Sequence, residues 1–423
     1  MPETVPSGRE TAGLRWSLPV LLVIAAFAPI FNNGFIADDF VILRWAEGLK
    51  VHPLYLFDTP HYTFRTTLFV VFLILKSLFG YHTFAFYAFS ILLHSANVLL
   101  LGYLVWTLTG DSETAFWGSC FAAVFSAPQE AVMWLSGMTE SLLAFFLLVT
   151  LILWLKDRPL LAACAFVGAL FSKESAVIAL ALAPLIDLYR GRRVVRPAYV
   201  ALLVPAALFG VSFLATWHSN GMINEGIFTV GPQALSVLAL TAHRMLWPWF
   251  YIVVVVIRFA GGAWPSWGSV GRALACVLLL LAPYIFITYA RSLPSRNVYL
   301  ASAALMAGFS VWLEPVRKTR LFSVFAAAFI AFNVGYLWIR KDRQFEERAA
   351  PTTALLRALA GVKPQNTLII DFPYPYPEIA RESVLLLPGW SPDAIQVGDS
   401  PAVCPDCRQL KWNMASQDYE GPR

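Results

Sequence analysis

Apolar runs long enough to cross a lipid bilayer recur from residue 17 to residue 339 of this 423-residue chain, and no other feature restricts its fold so severely. A hydrocarbon core of about 30 Å takes about 20 apolar residues as helix. Within that core every backbone N–H and C=O must be satisfied inside the protein, which leaves a helical bundle as the economical solution. Hydrophobic residues make up 58% of the chain and charged ones 13%, more apolar sequence than a soluble core needs. The expected class is an all-α polytopic membrane protein.

Arg15, the apolar run from Ser17 and the triplet Ala26-Phe27-Ala28 imitate a secretory signal, but Pro29 stands where the cleavable bond would lie. Residues 17–35 therefore read as the first span. Further runs lie at 83–108, 114–128, 140–155, 159–173, 175–189, 197–217, 237–257, 270–290, 298–313 and 321–339, which makes eleven candidate spans. The pair 159–173 and 175–189 is short, and reads as tilted or re-entrant around Lys173 and Glu174. Residues 66–80 are apolar but short and carry Lys76; they span only if the N-terminus is external, which would move Asp38 and Asp39 to the cytoplasm. They read as a helix lying at the membrane interface after the first outer loop.

With the N-terminus in the cytoplasm, the cytoplasmic loops hold twelve Lys and Arg residues, with Arg190, Arg192, Arg193 and Arg196 clustered in one of them. The outer loops hold six: Arg44, Lys50, Arg65, Lys173, Arg291 and Arg296. That asymmetry obeys the positive-inside rule. Residues 1–339 thus form the transmembrane domain, and 340–423 a small extracytoplasmic α/β domain by parity. The tail reads as a helix around 343–359, a strand at 367–372 and then irregular Pro-rich chain. Its Cys404 and Cys407 form half a zinc site at best, since no histidine lies in the tail, and read better as a local disulfide.

Two carboxylates, Asp38 and Asp39, follow the first span directly. Charge beside hydrocarbon is costly, about 2.5 kcal/mol or more per group at depth, and is usually kept for a reason. Other polar residues recur at the same face: His61, Arg65, Glu130, Glu140, Lys173, Glu174, Arg291 and Arg296. Carboxylates mixed with guanidinium groups suit a reaction in which an acid activates a nucleophile and a cation stabilises a departing phosphate. Glu140 is equally well read as a solvated loop charge. His94 and Asn97, three apart, read as interhelical hydrogen-bonding residues, and Asp187 as a partner of the basic loop. Nucleotide chemistry is excluded: in Gly168-Ala-Leu-Phe-Ser172-Lys173-Glu174, Ser172 replaces the second glycine of a phosphate-binding loop and Glu174 its metal-binding hydroxyl.

Five stretches in order carry a family resemblance: Asp38-Asp39; Tyr62-Thr63-Phe64-Arg65-Thr66; Tyr81-His82-Thr83 through His94-Ser95-Ala96-Asn97; Pro128-Gln129-Glu130 through Ser136-Gly137; and Leu170-Phe171-Ser172-Lys173-Glu174-Ser175. Arg296-Asn297-Val298-Tyr299-Leu300 adds a looser sixth. The chain resembles the polyprenyl-phosphate-sugar-dependent glycosyltransferases of the GT-C superfold, nearest the protein O-mannosyltransferase type. Met138, where an arginine often follows the glycine, and Thr66, in place of a proline, depart from the pattern.

That resemblance implies Asp38 or Asp39 as catalytic base and Arg65, Lys173 and Arg296 as ligands of the carrier phosphate. His61, Glu130 and Glu174 are further site candidates. The donor would be a sugar, mannose or another hexose, on a polyprenyl phosphate. The acceptor would be a hydroxyl of a protein, lipid or glycan on the extracytoplasmic side, a bacterial inner membrane being the expected location. The donor's glycosyl phosphate bond drives such a transfer, so no cofactor is expected, and the sequence gives no indication of a divalent metal or of a nucleic-acid partner. The competing functions are a lipid-linked glycan flippase or transporter and an envelope polysaccharide assembly factor. A flippase predicts pseudo-symmetric halves, and no second copy of the first-half pattern occurs.

Overall fold

The computed structural model describes residues 15–52, 65–194, 197–215, 229 and 231–420. Helix α1, Ser17–Phe27, gives way at Pro29 to the tight turn Ala28–Asn32. Proline has no N–H to donate four residues back, and the carbonyl of Ala25 is instead met by the Trp338 indole N–H at 2.9 Å. The first loop leads into α2 (Asp38–Val51), and α3 (Thr66–Phe79) packs along it through Trp45 on Phe69 and an ion pair between Lys76 and Glu47. Helix α3 matches the helix expected at 66–80 in extent and composition.

The bundle follows as α4 (Thr83–Thr109), α5 (Ser112–Val124), α6 (Met138–Leu155), α7 (Pro159–Leu170), α8 (Ala179–Tyr189) and α9 (Val200–Ala215). Then come α10 (Gln233–Leu246), α11 (Trp249–Phe259), α12 (Trp267–Leu281), α13 (Tyr299–Trp312) and α14 (Arg320–Tyr336). Aromatic rings fill the seams: Trp249 lies 4.6 Å from Phe329, and Phe121 5.1 Å from the same ring. His94 and Asn97 make the interhelical bonds expected of them, His94 to the Tyr299 hydroxyl at 2.5 Å and Asn97 to the Ser141 carbonyl at 2.8 Å.

Among the described residues, five helices are long and apolar enough to cross a membrane, and six if the pair α10 and α11, bent by 47°, is one span. The expected eleven spans are thus matched in number only in part, by five or six helices of spanning length. Residues 17–32, 66–79 and 159–170 are apolar but shorter, and α5 has only 13 residues, about 20 Å at 1.5 Å per residue. The reading by hydropathy runs past the breaks: Pro29 ends α1, and the 114–128 run leaves the helix at Phe125, before Pro128.

Charges gather at one end of the bundle, where Arg317 pairs with Asp111 at 2.7 Å, Arg192 with Asp157 at 2.8 Å, and Arg15 with Glu113. Asp187 faces Arg192 at 3.7 Å and accepts from the Tyr199 hydroxyl at 2.7 Å, as its position before the basic loop predicted. The first loop and the tail lie together at the other end.

Helix α14 does not stop at 339. It continues through a π-helical segment, Leu337–Asp342, into α15 (Arg343–Leu359), giving a 40-residue helix, Arg320–Leu359, across the expected domain boundary. The tail then forms β1 (Thr367–Ile370), α16 (Glu378–Ser383), β2 (Ile395–Gly398), β3 (Arg408–Asn413) and β4 (Asp418–Glu420). Strand order is β2-β1-β3-β4, with β1 parallel to β2 and β3, and β4 antiparallel to β3. The Pro-rich stretch after β1 is therefore ordered into a small mixed sheet and not left irregular, and Cys404 and Cys407 form a disulfide.

This sheet is clamped to the first loop. Glu382 on α16 pairs with Arg44 on α2, and Thr352 on α15 donates to the Phe35 carbonyl at 3.3 Å. Gly34 permits the contact, because a Cβ there would lie 2.5 Å from the Thr353 hydroxyl.

Candidate active site

Asp38 and Asp39 open α2, so their side chains leave the helix about 100° apart. Ala37, with φ of 46°, holds a conformation costly for a residue with a Cβ and sets the entry angle of the helix. Asp39 turns inward and is fully buried. Its carboxylate accepts from the Ile36 N–H at 2.8 Å, the Ser136 N–H at 2.7 Å and the Ser136 hydroxyl. It staples the first loop to the turn at 134–137, where Gly137 is obligatory: a Cβ would sit 2.2 Å from the Glu130 carbonyl. Burial pushes the Asp39 carboxyl up to about 7, against the pull of its Ser136 and Ile36 donors.

Asp38 is different. It is half-buried and accepts no hydrogen bond from any described residue. Three guanidinium groups, those of Arg296, Arg65 and Arg348, act on its charge through space. Burial raises its carboxyl above the ordinary carboxylate range, and the three arginines restrain that rise.

Two of those arginines are fixed by one carboxylate. Glu130 lies 3.5 Å from the Arg296 guanidinium and 3.4 Å from that of Arg348. Both cations also stand over the Trp134 ring, at 4.8 and 5.1 Å from its centroid. Burial acts to raise the Glu130 carboxyl, but Arg296 and Arg348 prevail and hold it below its ordinary value. Glu130 thus aims the cations at Asp38. Tyr374 closes this side by donating to the Arg348 carbonyl, and burial pushes its phenol up to about 12, which keeps it neutral.

Lys173 is buried and engaged elsewhere: its ammonium pairs with Glu140 and donates to the Asn297 amide oxygen at 3.1 Å. The other Glu140 oxygen accepts from the Tyr284 hydroxyl at 2.8 Å. Glu140, 1% exposed, is therefore no solvated loop charge. Glu174 follows Lys173, with one carboxylate oxygen buried and lacking a hydrogen-bond partner among the described residues. His61 lies outside the described residues. Among the described residues, no group of three or more His, Cys, Asp and Glu is placed to hold a metal ion.

Beside this polar centre runs an apolar groove of 570 Å³ between α3, α4, α6 and α7, lined by Thr66, Val70, Phe89, Leu93, Phe146 and Phe171 among others. It begins at the residue after Arg65. The Thr67 hydroxyl fixes that corner by donating to the Ser172 hydroxyl at 2.8 Å.

Sequence reasoning missed Arg348 and Trp134 as site residues. Arg348 had a signal: Phe345, Arg348 and Thr352 recur at i, i+3 and i+7, one face of α15, and Phe345 and Thr352 are buried. Trp134 lay inside a quoted motif but carries no charge to mark it.

The helical bundle, with an acid in its first loop and a tail folded over it, has the fold of a solved membrane protein. One solved structure that this chain resembles is ArnT from Cupriavidus metallidurans bound to undecaprenyl phosphate, at 11% identity over 95% of this chain and 94% of that one, with a TM-score of 0.57. The archaeal oligosaccharyltransferase AglB from Archaeoglobus fulgidus, in complex with an inhibitory peptide and a dolichol-phosphate, aligns at 12% identity over 89% of this chain and 64% of that one, with a TM-score of 0.48. No protein-family model matches the sequence, and no curated protein does.

Proposed function

We propose that this protein transfers a sugar, mannose or another hexose, from a polyprenyl-phosphate carrier to an acceptor hydroxyl at the extracytoplasmic face of a bacterial inner membrane. One juxtaposition carries the reading: Asp38, with no hydrogen-bond donor of its own among the described residues, lies in the field of Arg296, Arg65 and Arg348, and the residue after Arg65 lines an apolar groove. A carboxylate held that way is available to a proton, the guanidinium groups to a phosphate, and the groove to a prenyl chain. That ArnT, of similar fold, was solved with undecaprenyl phosphate supports the choice of carrier.

In this mechanism Asp38 takes the proton of the acceptor hydroxyl as its oxygen attacks the anomeric carbon. The bond from that carbon to the phosphate oxygen breaks, and the lipid phosphate leaves with the electron pair. A single displacement inverts the anomeric configuration. Arg65 and Arg296, joined by Arg348, hold the departing phosphate, with planar forks that match its oxygens. Lys173, committed to Glu140, serves as a scaffold for the loop behind Arg65 and not as a phosphate ligand. Asp39 positions the loop.

The test is transfer by the purified protein from radiolabelled undecaprenyl-phosphate hexoses to an envelope extract. Label leaving the lipid fraction for a new product supports a transferase. Movement of intact lipid-linked sugar across proteoliposomes without transfer would overturn it in favour of a flippase.

A further inference from the structure

A second, polar cleft lies at the same end of the molecule. It has a volume of 550 Å³ and is walled by three segments: the first loop at Asn32–Gly34, α15, and the turn between β3 and β4 at 415–417. Its charged lining is balanced. Glu346 and Glu347 stand with Arg343 and Arg357, and Arg343 pairs with Glu347 at 3.0 Å. Ser416 and Gln417 add neutral donors and acceptors.

Asn33, also in the lining, is 2% exposed, yet neither its amide nitrogen nor its amide oxygen has a hydrogen-bond partner among the described residues. A buried carboxamide left unpaired is destabilising unless a ligand satisfies it. It offers one acceptor and two donors side by side, the complement of a hydroxyl that both donates and accepts. Asp38 lies five positions after Asn33, so the cleft and the proposed base are within about 17 Å along the chain.

We propose that this cleft binds an uncharged, polyhydroxylated saccharide portion of the acceptor, which makes the acceptor a glycan. The proposal rests on the glycosyltransferase reading for its role, though not for the binding itself. Balanced charge disfavours a phosphate or an acidic ligand, which the Asp38 site with its three arginines would take instead. A peptide held by strand addition needs an exposed sheet edge, and the walls here are a helix, a loop and a turn tip. The only apolar side chains among the lining residues are those of Ala349, Ala350 and Ala415, so no pocket exists for a peptide's apolar anchor. Vicinal hydroxyls suit the carboxylates as donors and the guanidinium forks as acceptors.

The experiment is binding of mannotriose, maltotriose and chitotriose to the full-length protein in lipid nanodiscs, read by saturation-transfer NMR. At least one is expected to bind, and Asn33→Ala to weaken it fivefold or more. Because Asn33 is buried, the exposed changes Glu346→Gln and Gln417→Ala provide a second reading and should each weaken it at least twofold. Undecaprenyl phosphate binding should stay unchanged in all three variants. Absence of binding by all three saccharides, binding indifferent to both exposed variants, or displacement by a Ser/Thr-rich peptide would overturn the proposal. Failure of the wild type to bind undecaprenyl phosphate would instead strike the transferase reading, and would leave saccharide binding at the cleft standing.

Discussion

Adjacent aspartates with opposite environments divide the labour at the site. Asp39 is a staple, and its protonation is linked to stability. Its carboxyl is raised to about 7 in the folded protein, so between about pH 4 and 7 the folded state holds a proton that the unfolded chain releases. Its contribution is complete below the ordinary carboxylate range and is lost as pH rises to about 7. Asp39→Asn, which cannot ionise, should flatten the pH dependence of the unfolding temperature in that window, as thermal scans at stepped pH will show. An unchanged slope would remove Asp39 as the titrating group. Arg348→Ala takes away a cation that restrains the Asp38 carboxyl, so the Asp38 pKa should rise further. The acid limb of the pH–rate profile should then move to higher pH, while mutation of exposed Arg343, which pairs with Glu347, should leave it in place. Which acid lay inward was not legible from two neighbouring letters. It depends on the backbone at Ala37 and on donors from residue 136, far away in sequence.

Among the elements, α3 and α4 were legible because their apolar runs coincide with unbroken helices. The helix at 343–359 was read at its observed bounds from its amphipathic spacing. The count of spans was not legible, because hydropathy does not register where Pro29 or the bend between α10 and α11 interrupts a helix. Strands β2 to β4, of four, six and three residues, are too short for alternation to declare itself. The groove among α3, α4, α6 and α7 gives a prediction of its own. Ala96 lines it without being fully buried, so Ala96→Phe should fill it and weaken binding of a full-length polyprenyl-phosphate donor about tenfold, roughly 1.4 kcal/mol. A donor with only two or three isoprene units should lose little. Equal losses for both, measured as KM, would mean that the chain lies elsewhere.

For the whole molecule, the tail completes the site rather than hanging from it. Arg348 arrives from α15, Tyr374 follows the sheet's first strand, and Glu382 locks α16 to α2. That assembly was hidden in the sequence because a polar segment after the last span reads as a separate domain. It also makes the topology testable: cysteines at positions 50 and 410 should label from the same side of the membrane, and one at 191 from the other. Labelling of 50 and 410 from opposite sides would contradict the arrangement. The central claim is that Asp38 is the base of a sugar transfer. A positioned carboxylate contributes about a hundredfold to ten-thousandfold in rate. The direct measurement is the single-turnover rate of hexose transfer from undecaprenyl phosphate to envelope glycan by the wild type and by Asp38→Asn, with donor binding measured on the same samples. A loss of about a hundredfold or more at unchanged donor affinity is the predicted result, and transfer by Asp38→Asn at the parental rate would contradict it.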